Sequence, residues 1–453
     1  MTSQPTLVTS FVDGWLGHSS HLVDLGDGSV LVIDPARIPT AQINAARARG
    51  LSLAFTADTH THADYISGSP DLAELGTVFI APSEADLDRD YVGVSDGDEL
   101  AVGHLRLRAI ATPGHTRDHL CLLLSTGATP VALFSGGSLM VGTVGRTDLL
   151  GDDQRTGLAR ELYHSLHERI MVLPDDLPVY PTHGEGSFCA AAGGGALTTT
   201  IGRERATNPL LAVAGEEEFV DRLLSGFGPF PTYFRHLPEL NRRGVPHYES
   251  VPALDLLVAR DVVAVVDGGG IVVDARPAAE FAAAHIPGSI SIAARSVFAA
   301  WFGWLVPRSS PVVLLLDDDQ DESEIVRYCL TIGHDRLAGR LTHGLAAWRA
   351  AGLPVAQTAL IDAGAVPRDR PLIDVRDADE YDAGHVPAAI SIALPSIRLA
   401  EVPEAPIVMC GKLERAMTAA SLLANRGYKD VAVLDGGYGA WTNRTVRPTV
   451  PPG

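Results

Sequence analysis

Cysteine is scarce in this chain of 453 residues, which contains four cysteines and no C-x-x-C pair. Scattered cysteines in so long a chain do not make a disulfide framework, and they predict a reduced, cytoplasmic protein. Long apolar runs are missing as well, since no stretch approaches the ~18 residues that a membrane span needs. The opening MTSQPTLVTSFVDGWLG has neither a basic region nor an apolar core, so we expect no secretory signal there.

Positive charge is also in deficit. Lysine and arginine total 35 against 55 aspartates and glutamates, which gives a formal net charge of -20. Such a surface repels phosphate backbones and anionic lipid, so we expect neither a nucleic acid nor a membrane partner. Hydrophobic residues make up 46% of the chain, enough for ample core. The length predicts two to four domains at ~100–200 residues each.

One internal repeat organises the second half of the chain. The segment IVVDARPAAEFAAAHIPGSISI (271–292) returns as PLIDVRDADEYDAGHVPAAISI (371–392), and the copies close on THGLAAW and DGGYGAW. Short apolar runs alternate with helical stretches, which predicts two tandem parallel α/β domains, 253–357 and 358–453, after an N-terminal domain, 1–243. The residues common to both copies are Asp274 and Asp374, Arg276 and Arg376, Glu280 and Glu380, His285 and His385, and Pro287 and Pro387.

Three histidine motifs follow three predicted strands of the N-terminal domain. His60, His62 and Asp64 lie in THTHADY, His115 in TPGHT and His183 in PTHGEGS. Loops at strand ends converge over an α/β sheet, and neutral imidazoles with a carboxylate are the ligands of transition metals. The pattern therefore predicts a metal site. The alternative is a set of unrelated loop histidines that hydrogen-bond to the backbone.

These motifs, with VGRTDLLG and a helical tail that includes PTYFRHLPELNRRG, resemble the metallo-β-lactamase superfamily. The closer resemblance is to the persulfide dioxygenases of that fold, in the branch fused to rhodanese domains, and it covers residues 5 to about 243. It implies an αββα sandwich with the metal at one edge. In such dioxygenases two histidines and one aspartate hold iron and leave positions open for O₂ and substrate. The two histidines correspond to His60 and His115.

The third ligand of that family is missing here. The segment reads LFSGGSLMVGTVGRTDLLG, and counting back from GRTD places Gly137 where the aspartate belongs. Thr143 stands where the fused branch often has another aspartate, and Tyr65 replaces the last histidine of H-x-H-x-D-H. A two-metal hydrolase needs both a histidine at 65 and an aspartate at 137, so that activity is disfavoured.

What survives is a cluster of His60, His62 and His115, with Asp64 and His183 nearby. Such a set predicts one metal ion per chain, Fe(II) first and Zn²⁺ as the alternative. Asp64 is the candidate for the missing carboxylate. On the family comparison, Gly137→Asp is expected to restore iron retention, provided that the site has room for a side chain.

The two repeats resemble rhodanese domains, which carry sulfane sulfur as a cysteine persulfide. The resemblance implies a cysteine at the start of a six-residue loop, whose N–H groups stabilise the anionic sulfur and lower the thiol pKa. In the second copy Cys410 begins CGKLER after the strand APIVM, and Lys412 and Arg415 add positive charge for an anionic donor. A buried structural cysteine is the alternative. Leu413 and Glu414 are unusual in such a loop.

The first copy has no cysteine at this place, because its strand PVVLLL runs into DDDQDESE. We predict that this copy is catalytically silent. Cys121 and Cys329 are predicted core residues, and Cys189 receives no role.

Together these patterns predict an α/β multidomain protein of sulfane-sulfur metabolism. The N-terminal domain would oxidise a low-molecular-weight thiol persulfide to sulfite with Fe(II) and O₂, and Cys410 would transfer sulfur among persulfide, thiosulfate and sulfite. Two alternatives stay open: a metal-poor, non-catalytic lactamase-like module beside an active rhodanese, and a mononuclear zinc hydrolase. The sequence leaves the oligomeric state open, a homo-oligomer included.

Overall fold

The computed structural model describes residues 7–184, 187–189 and 196–446, which fall into two units. One unit extends to Pro252 and also includes Arg327–His334, and the other holds Ala253–Val326 and the chain from Asp335 on. The predicted outer domain limits, residues 1 and 453, lie outside the described residues.

Two six-stranded sheets form the first unit. One has the order β1-β2-β3-β4-β5-β6, antiparallel as far as β3 and parallel from there. Its strands are β1 (Val8–Val12), β2 (Ser19–Asp24), β3 (Ser29–Ile33), β4 (Ser52–Ala57), β5 (Val78–Pro82) and β6 (Val92–Val94). The other has the order β14-β13-β10-β9-β8-β7, in which only β10 and β13 pair in parallel. Its strands are β7 (Glu99–Val102), β8 (Leu105–Ala111), β9 (Leu120–Thr126), β10 (Thr129–Gly136), β13 (Pro178–Pro181) and β14 (Thr199–Thr200). Between β10 and β13 in the sequence lies a small hairpin of β11 (Leu139–Met140) and β12 (Thr143–Val144).

Apolar side chains join these sheets face to face. Leu31 and Ile33 of β3 pack with Leu122 and Phe134 from β9 and β10 in one buried cluster. Helices cover both outer faces, as shown by Ala46 of α1 against one sheet and Leu162 of α3 against the other. The predicted αββα sandwich is confirmed. The helices of this unit are α1 (Thr40–Ala48), α2 (Ser69–Glu74), α3 (Arg155–His164), α4 (Ile201–Thr207), α5 (Glu216–Ser225) and α6 (Leu237–Arg243).

The second unit contains two five-stranded sheets that are parallel throughout and share one strand order. The first sheet is β15 (Leu256–Leu257), β19 (Leu337–Leu341), β18 (Val312–Leu315), β16 (Ile271–Asp274) and β17 (Ile290–Ser291), in spatial order. The second is β20 (Ala359–Ile361), β24 (Ala432–Leu434), β23 (Ile407–Met409), β21 (Leu372–Asp374) and β22 (Ile390–Ser391). The helices that follow α6 are α7 (Ala259–Asp267), α8 (Ala278–Ala283), α9 (Phe298–Leu305), α10 (Glu322–Thr331), α11 (Gly344–Ala350), α12 (Ala378–Asp382), α13 (Glu414–Asn425) and α14 (Gly437–Val446). From Arg327 on, α10 belongs to the first unit.

Most residues that recur in the two copies have a structural task. In each copy the aspartate ends a strand and receives hydrogen bonds from the arginine two residues on, with Nη2–Oδ2 distances of 2.6 Å for Arg276 and 2.7 Å for Arg376. The same guanidinium then bonds the carbonyl just before the repeat histidine, at Ala284 or Gly384. The Asp-x-Arg pair therefore ties the strand end to the following loop.

Among the helices of the described residues, none combines the length and the apolar content needed to cross a bilayer.

Candidate functional site

All five predicted metal ligands meet at one end of the N-terminal sandwich. His60, His62 and Asp64 follow β4, His115 follows β8 and His183 follows β13, and each side chain is buried. Among the described residues three overlapping groups arise, each with ligand atoms within 4.8 Å of one another. The groups are His60 with His115 and His183, His62 with Asp64 and His183, and His62 with Asp34 and Asp58.

This grouping differs from the cluster predicted from sequence. His183 forms a group with His60 and His115, whereas His62 forms a group with Asp64 and His183. The difference arises because β13 pairs in parallel with β10, which brings the end of β13 beside the loops that carry the other histidines. His183 is therefore central rather than peripheral.

Hydrogen bonds fix which ring nitrogen faces the cluster. Thr59 Oγ1 donates to Asp34 at 2.8 Å, so it accepts from Nδ1 of His60 at 2.9 Å. Nδ1 of His115 donates to the carbonyl of Arg146 at 2.8 Å. Each bond leaves Nε2 as the atom with a lone pair, which is the usual way in which a second contact orients a metal-binding imidazole.

The cluster contains several buried polar atoms without a hydrogen-bond partner. Leaving such atoms unpaired costs about 1–3 kcal/mol each, so a group of them indicates that a ligand belongs there. An ion bound by imidazole and carboxylate would pair them, and the residues present therefore fit a transition metal. The atoms are Nε2 of His60, Nδ1 of His62, both carboxylate oxygens of Asp64 and both ring nitrogens of His183, of which Nδ1 of His183 and Oδ2 of Asp64 lie 3.2 Å apart as an ion pair.

The electrostatics suit metal binding. Burial lowers the pKa of His115 to about 3 and holds that of His60 well below its usual value, so both rings are neutral. Burial opposes ionisation of Asp64, but attraction by His183 outweighs it and holds the pKa of that carboxyl well below its usual value. The site thus presents two neutral imidazoles, His60 and His115, and one ionised carboxylate, as ligation requires. Burial would lower the pKa of His62 as well, but its hydrogen bond to Asp34 outweighs burial and raises that pKa.

Asp34 organises the site and was missed by the sequence interpretation. Its carboxylate accepts from Thr59 N–H at 2.7 Å, lies 3.4 Å from Nε2 of His62 and accepts from Thr182 Oγ1 beside His183. Its backbone has a positive φ of 50°, a strained conformation that clusters at functional sites. The available signal was an acidic residue directly after the strand SVLVI.

Gly137 has no room for the missing aspartate. A Cβ built there would lie 2.2 Å from Cδ2 and 2.6 Å from Nε2 of His115. The Gly137 N–H donates to Nε2 of His119 at 2.9 Å, so His119 is a structural acceptor that sequence reasoning did not identify. Thr143 lies in β12, paired with Met140. The hydroxyl of Tyr65 bonds the Asp34 carbonyl and lies 3.2 Å from Nε2 of His62.

A pocket of about 780 Å³ adjoins the ligand loops. Its wall includes Thr61, from the loop of His60 and His62, and Thr116, next to His115. Thr116 is buried and its Oγ1 has no hydrogen-bond partner. The side chains of Phe230 and Phe234 form an apolar part of the pocket wall. The pocket has the size and mixed lining of a small-molecule site.

Cys410 directly follows β23 and is buried at 2% exposure. Burial raises the pKa of its thiol above the usual value, although the N–H groups of Ala416 and Lys412 act to lower it. The expected depressed pKa is therefore not observed, because the loss of hydration outweighs the loop N–H groups. The carbonyl of Cys410 accepts from Tyr438 N–H at 2.8 Å, which places the closing DGGYGAW run against the loop.

The two cations predicted beside Cys410 differ in their surroundings. Nη2 of Arg415 bonds Oε1 of Glu380 at 2.8 Å, and its Nη1 lies 3.3 Å from Oδ2 of Asp377. Lys412 is exposed, and in the part of the chain that the structure describes it forms no ion pair.

The first copy places Leu316 where the second has Cys410. Asp274 pairs with Leu315 in one sheet and Asp374 with Met409 in the other, so the next residues correspond. Leu316 is buried and offers no nucleophile.

The other cysteines are all free and buried. Cys121 and Cys329 are core residues, as predicted, and burial raises the pKa of Cys121 to about 12. Cys189 lies near the metal ligands: burial first, then the charge of Asp64, hold the pKa of its thiol well above the usual value.

Comparison with known proteins gives two sets of relatives. The rhodanese-like domain family matches residues 258–351 and 356–444. The human mitochondrial persulfide dioxygenase ETHE1 is 33% identical over 202 residues, which is 43% of this chain and 72% of that protein. Its bovine counterpart is 32% identical over 200 residues, with the same shares. A solved metallo-β-lactamase from Staphylococcus aureus subsp. aureus COL is 28% identical with a TM-score of 0.63, over 74% of this chain and 98% of that one.

Proposed function

The chain belongs to the persulfide dioxygenase family and carries two rhodanese-like domains, and from this premise we propose that it oxidises a low-molecular-weight thiol persulfide to sulfite and transfers sulfane sulfur through Cys410. Relatives of both kinds support an enzyme of sulfur metabolism. Sulfite and persulfide are species that a rhodanese interconverts, which gives the fusion a chemical reason.

One observation supports the oxidation activity: the ligand atoms of three buried imidazoles, His60, His115 and His183, lie within 4.8 Å of one another. Two of these histidines are next in sequence to Thr61 and Thr116, which line the pocket. We propose that the three histidines hold one Fe(II) per chain, with Zn²⁺ as the alternative metal. Iron, when bound, supplies the activation of O₂. Asp64, 3.2 Å from Nδ1 of His183, supplies negative charge in place of the missing aspartate at position 137.

The residues of the chain would hold the substrate beside that metal. Thr116 offers its unpartnered hydroxyl to the persulfide end, directly next to His115 in sequence. The apolar rings of Phe230 and Phe234 would cover the thiol carrier and exclude water. We infer that these groups bind and orient, since none of them exchanges a proton readily at neutral pH.

Metal content and O₂ uptake test this proposal on the purified full chain with glutathione persulfide as the probe. His183→Ala should lose bound iron and O₂ uptake by about tenfold or more, which corresponds to about 1.4 kcal/mol of binding free energy or more. The matched control is His164→Ala, because His164 is exposed on α3 and should leave both quantities unchanged. Equal iron content and turnover in the His183 variant would remove it from the ligand set.

One observation favours a second function. A domain whose missing carboxylate cannot be replaced at Gly137 fits a metal-poor, non-catalytic module beside an active rhodanese. In that case the purified chain would hold little iron and take up no O₂ with glutathione persulfide, while Cys410 still transferred sulfur. Zinc in place of iron, again without O₂ uptake, would point to a hydrolase.

We further propose a cytoplasmic location, because four free cysteines suit a reducing compartment. The human relative is named as mitochondrial, so the compartment is not carried over from it. Fractionation of the native cells tests the point.

A further inference from the structure

The glutamate of the repeat has a different partner in each copy. In the first copy Oε2 of Glu280 lies 3.6 Å from Nη1 of Arg276, within the structural Asp-x-Arg pair. In the second copy Glu380 turns to Arg415 of the cysteine loop, with a 2.8 Å bond from Nη2 and a second contact from Nη1. This hydrogen bond lowers the pKa of Glu380, which keeps its carboxyl ionised.

The charge around Cys410 is consequently less positive than the loop sequence suggests. Arg415 faces two carboxylates, Glu380 and Asp377. Glu414 lies at the start of α13, where its carboxylate accepts from the N–H of Leu413 at 3.4 Å. Lys412 is the cation left for a donor, so two positive groups stand among three negative ones.

We propose that Glu380, by holding Arg415, makes Cys410 select a thiol persulfide over thiosulfate as its sulfur donor. Thiosulfate is a dianion, whereas a thiol persulfide carries at most one charge on its sulfane sulfur. Repulsion from the uncompensated carboxylates grows with donor charge and is strong in a partly buried site. Glu380 acts through Arg415 and is a positioning residue. The inference rests on the proposed sulfur transfer at Cys410.

The transfer step balances for either donor. With a persulfide, the Cys410 thiolate attacks the terminal sulfur of R–S–SH, a bond forms between Sγ and that sulfur, and the S–S bond of the donor breaks. The thiolate RS⁻ leaves with the electron pair, and Cys410 keeps the S–SH group. With thiosulfate, the leaving group is sulfite and the attack joins a thiolate to a dianion. Only the reaction with thiosulfate brings three negative charges together, one on the Cys410 thiolate and two on the donor.

Kinetics of the full-length protein with two donors test the selection. The donors are glutathione persulfide and thiosulfate, and kcat/KM is measured for the wild type, Glu380→Gln and the matched control Glu280→Gln. The wild type should prefer persulfide by about a hundredfold or more. Glu380→Gln should shift the ratio toward thiosulfate by about tenfold or more, and Glu280→Gln should leave the ratio unchanged.

A second readout separates charge from structure. Freed from Glu380, Arg415 should stabilise the thiolate, so Cys410 should react faster with iodoacetamide at neutral pH, as followed by mass spectrometry of its peptide. A wild type that uses thiosulfate as well as persulfide overturns the inference. So does a Glu380→Gln variant with an unchanged donor ratio, or with unchanged alkylation. Transfer that survives Cys410→Ser overturns the proposed function itself, and the inference falls with it.

Discussion

A side chain at Gly137 would have to share space with the ring of His115, which is held in place by the Arg146 carbonyl. Gly137→Asp was expected from the family comparison to restore the iron ligand. The structure predicts the opposite, because a Cβ at 2.2 Å from Cδ2 must displace His115. A family pattern identifies the missing ligand but not the neighbour that now fills its place.

We therefore predict that Gly137→Ala and Gly137→Asp both reduce iron retention, by about tenfold or about 1.4 kcal/mol. Metal analysis after gel filtration measures this. Gly157→Ala is the matched control, since Gly157 is exposed on α3 with nothing within 4 Å of its Cβ position. A higher iron content in the Gly137→Asp variant would contradict this prediction, because it would show that the His115 ring can move to make room.

The reactivity of Cys410 should rise with pH. Burial raises the pKa of its thiol, so the thiol form dominates near neutral pH, and the nucleophilic thiolate grows as pH increases. Sulfur transfer and alkylation of Cys410 should both increase from about pH 7 to about pH 9. A flat profile over this range would contradict the raised pKa.

Replacement of Cys410 is the most direct test of the proposal that this residue transfers sulfur. Cys410→Ser should abolish sulfur transfer. Cys329→Ser should leave it nearly intact, because Cys329 is a buried residue of α10 and is not part of the CGKLER loop. Comparable transfer by both variants would contradict the assignment.

At the scale of single elements, the Asp-x-Arg pair of each copy joins the end of a strand to the loop that follows it. Asp374 is fully buried and Arg376 nearly so, and the guanidinium also bonds the Gly384 carbonyl. Removing one member leaves a buried charge without its partner, which costs about 3–5 kcal/mol.

Asp374→Ala should therefore destabilise the second copy by about 3 kcal/mol or more, whereas the exposed Asp382→Ala should cost under about 0.5 kcal/mol. Hydrogen exchange of the β21–β23 amides in the full chain measures the local loss. Equal protection in both variants would show that the pair contributes little.

At the scale of the whole molecule, the metal site and Cys410 lie in different units. The two groups made of predicted ligands share His183, and in the third group the carboxylates of Asp34 and Asp58 already accept hydrogen bonds from Thr59, Ser67 and Ser69, so the chain should hold one tightly bound ion. We expect His60→Ala to lose O₂ uptake and keep sulfur transfer, and Cys410→Ser to do the reverse. Two ions per chain, or loss of both activities in either variant, would contradict this division.

The sequence alone determined the αββα sandwich, the parallel repeats and the five candidate ligands, because strand patterning and local motifs are encoded in neighbouring residues. The absence of a cysteine between PVVLLL and DDDQDESE was also legible in the sequence, and it is the basis of the prediction that the first copy is catalytically silent. Only the tertiary structure decided that His183 groups with His60 and His115, that Asp34 bonds both Thr59 and Thr182, and that Glu380 holds Arg415. These are contacts between residues far apart in the chain, and their distances depend on how strands pair and how buried side chains share space, which no local pattern records.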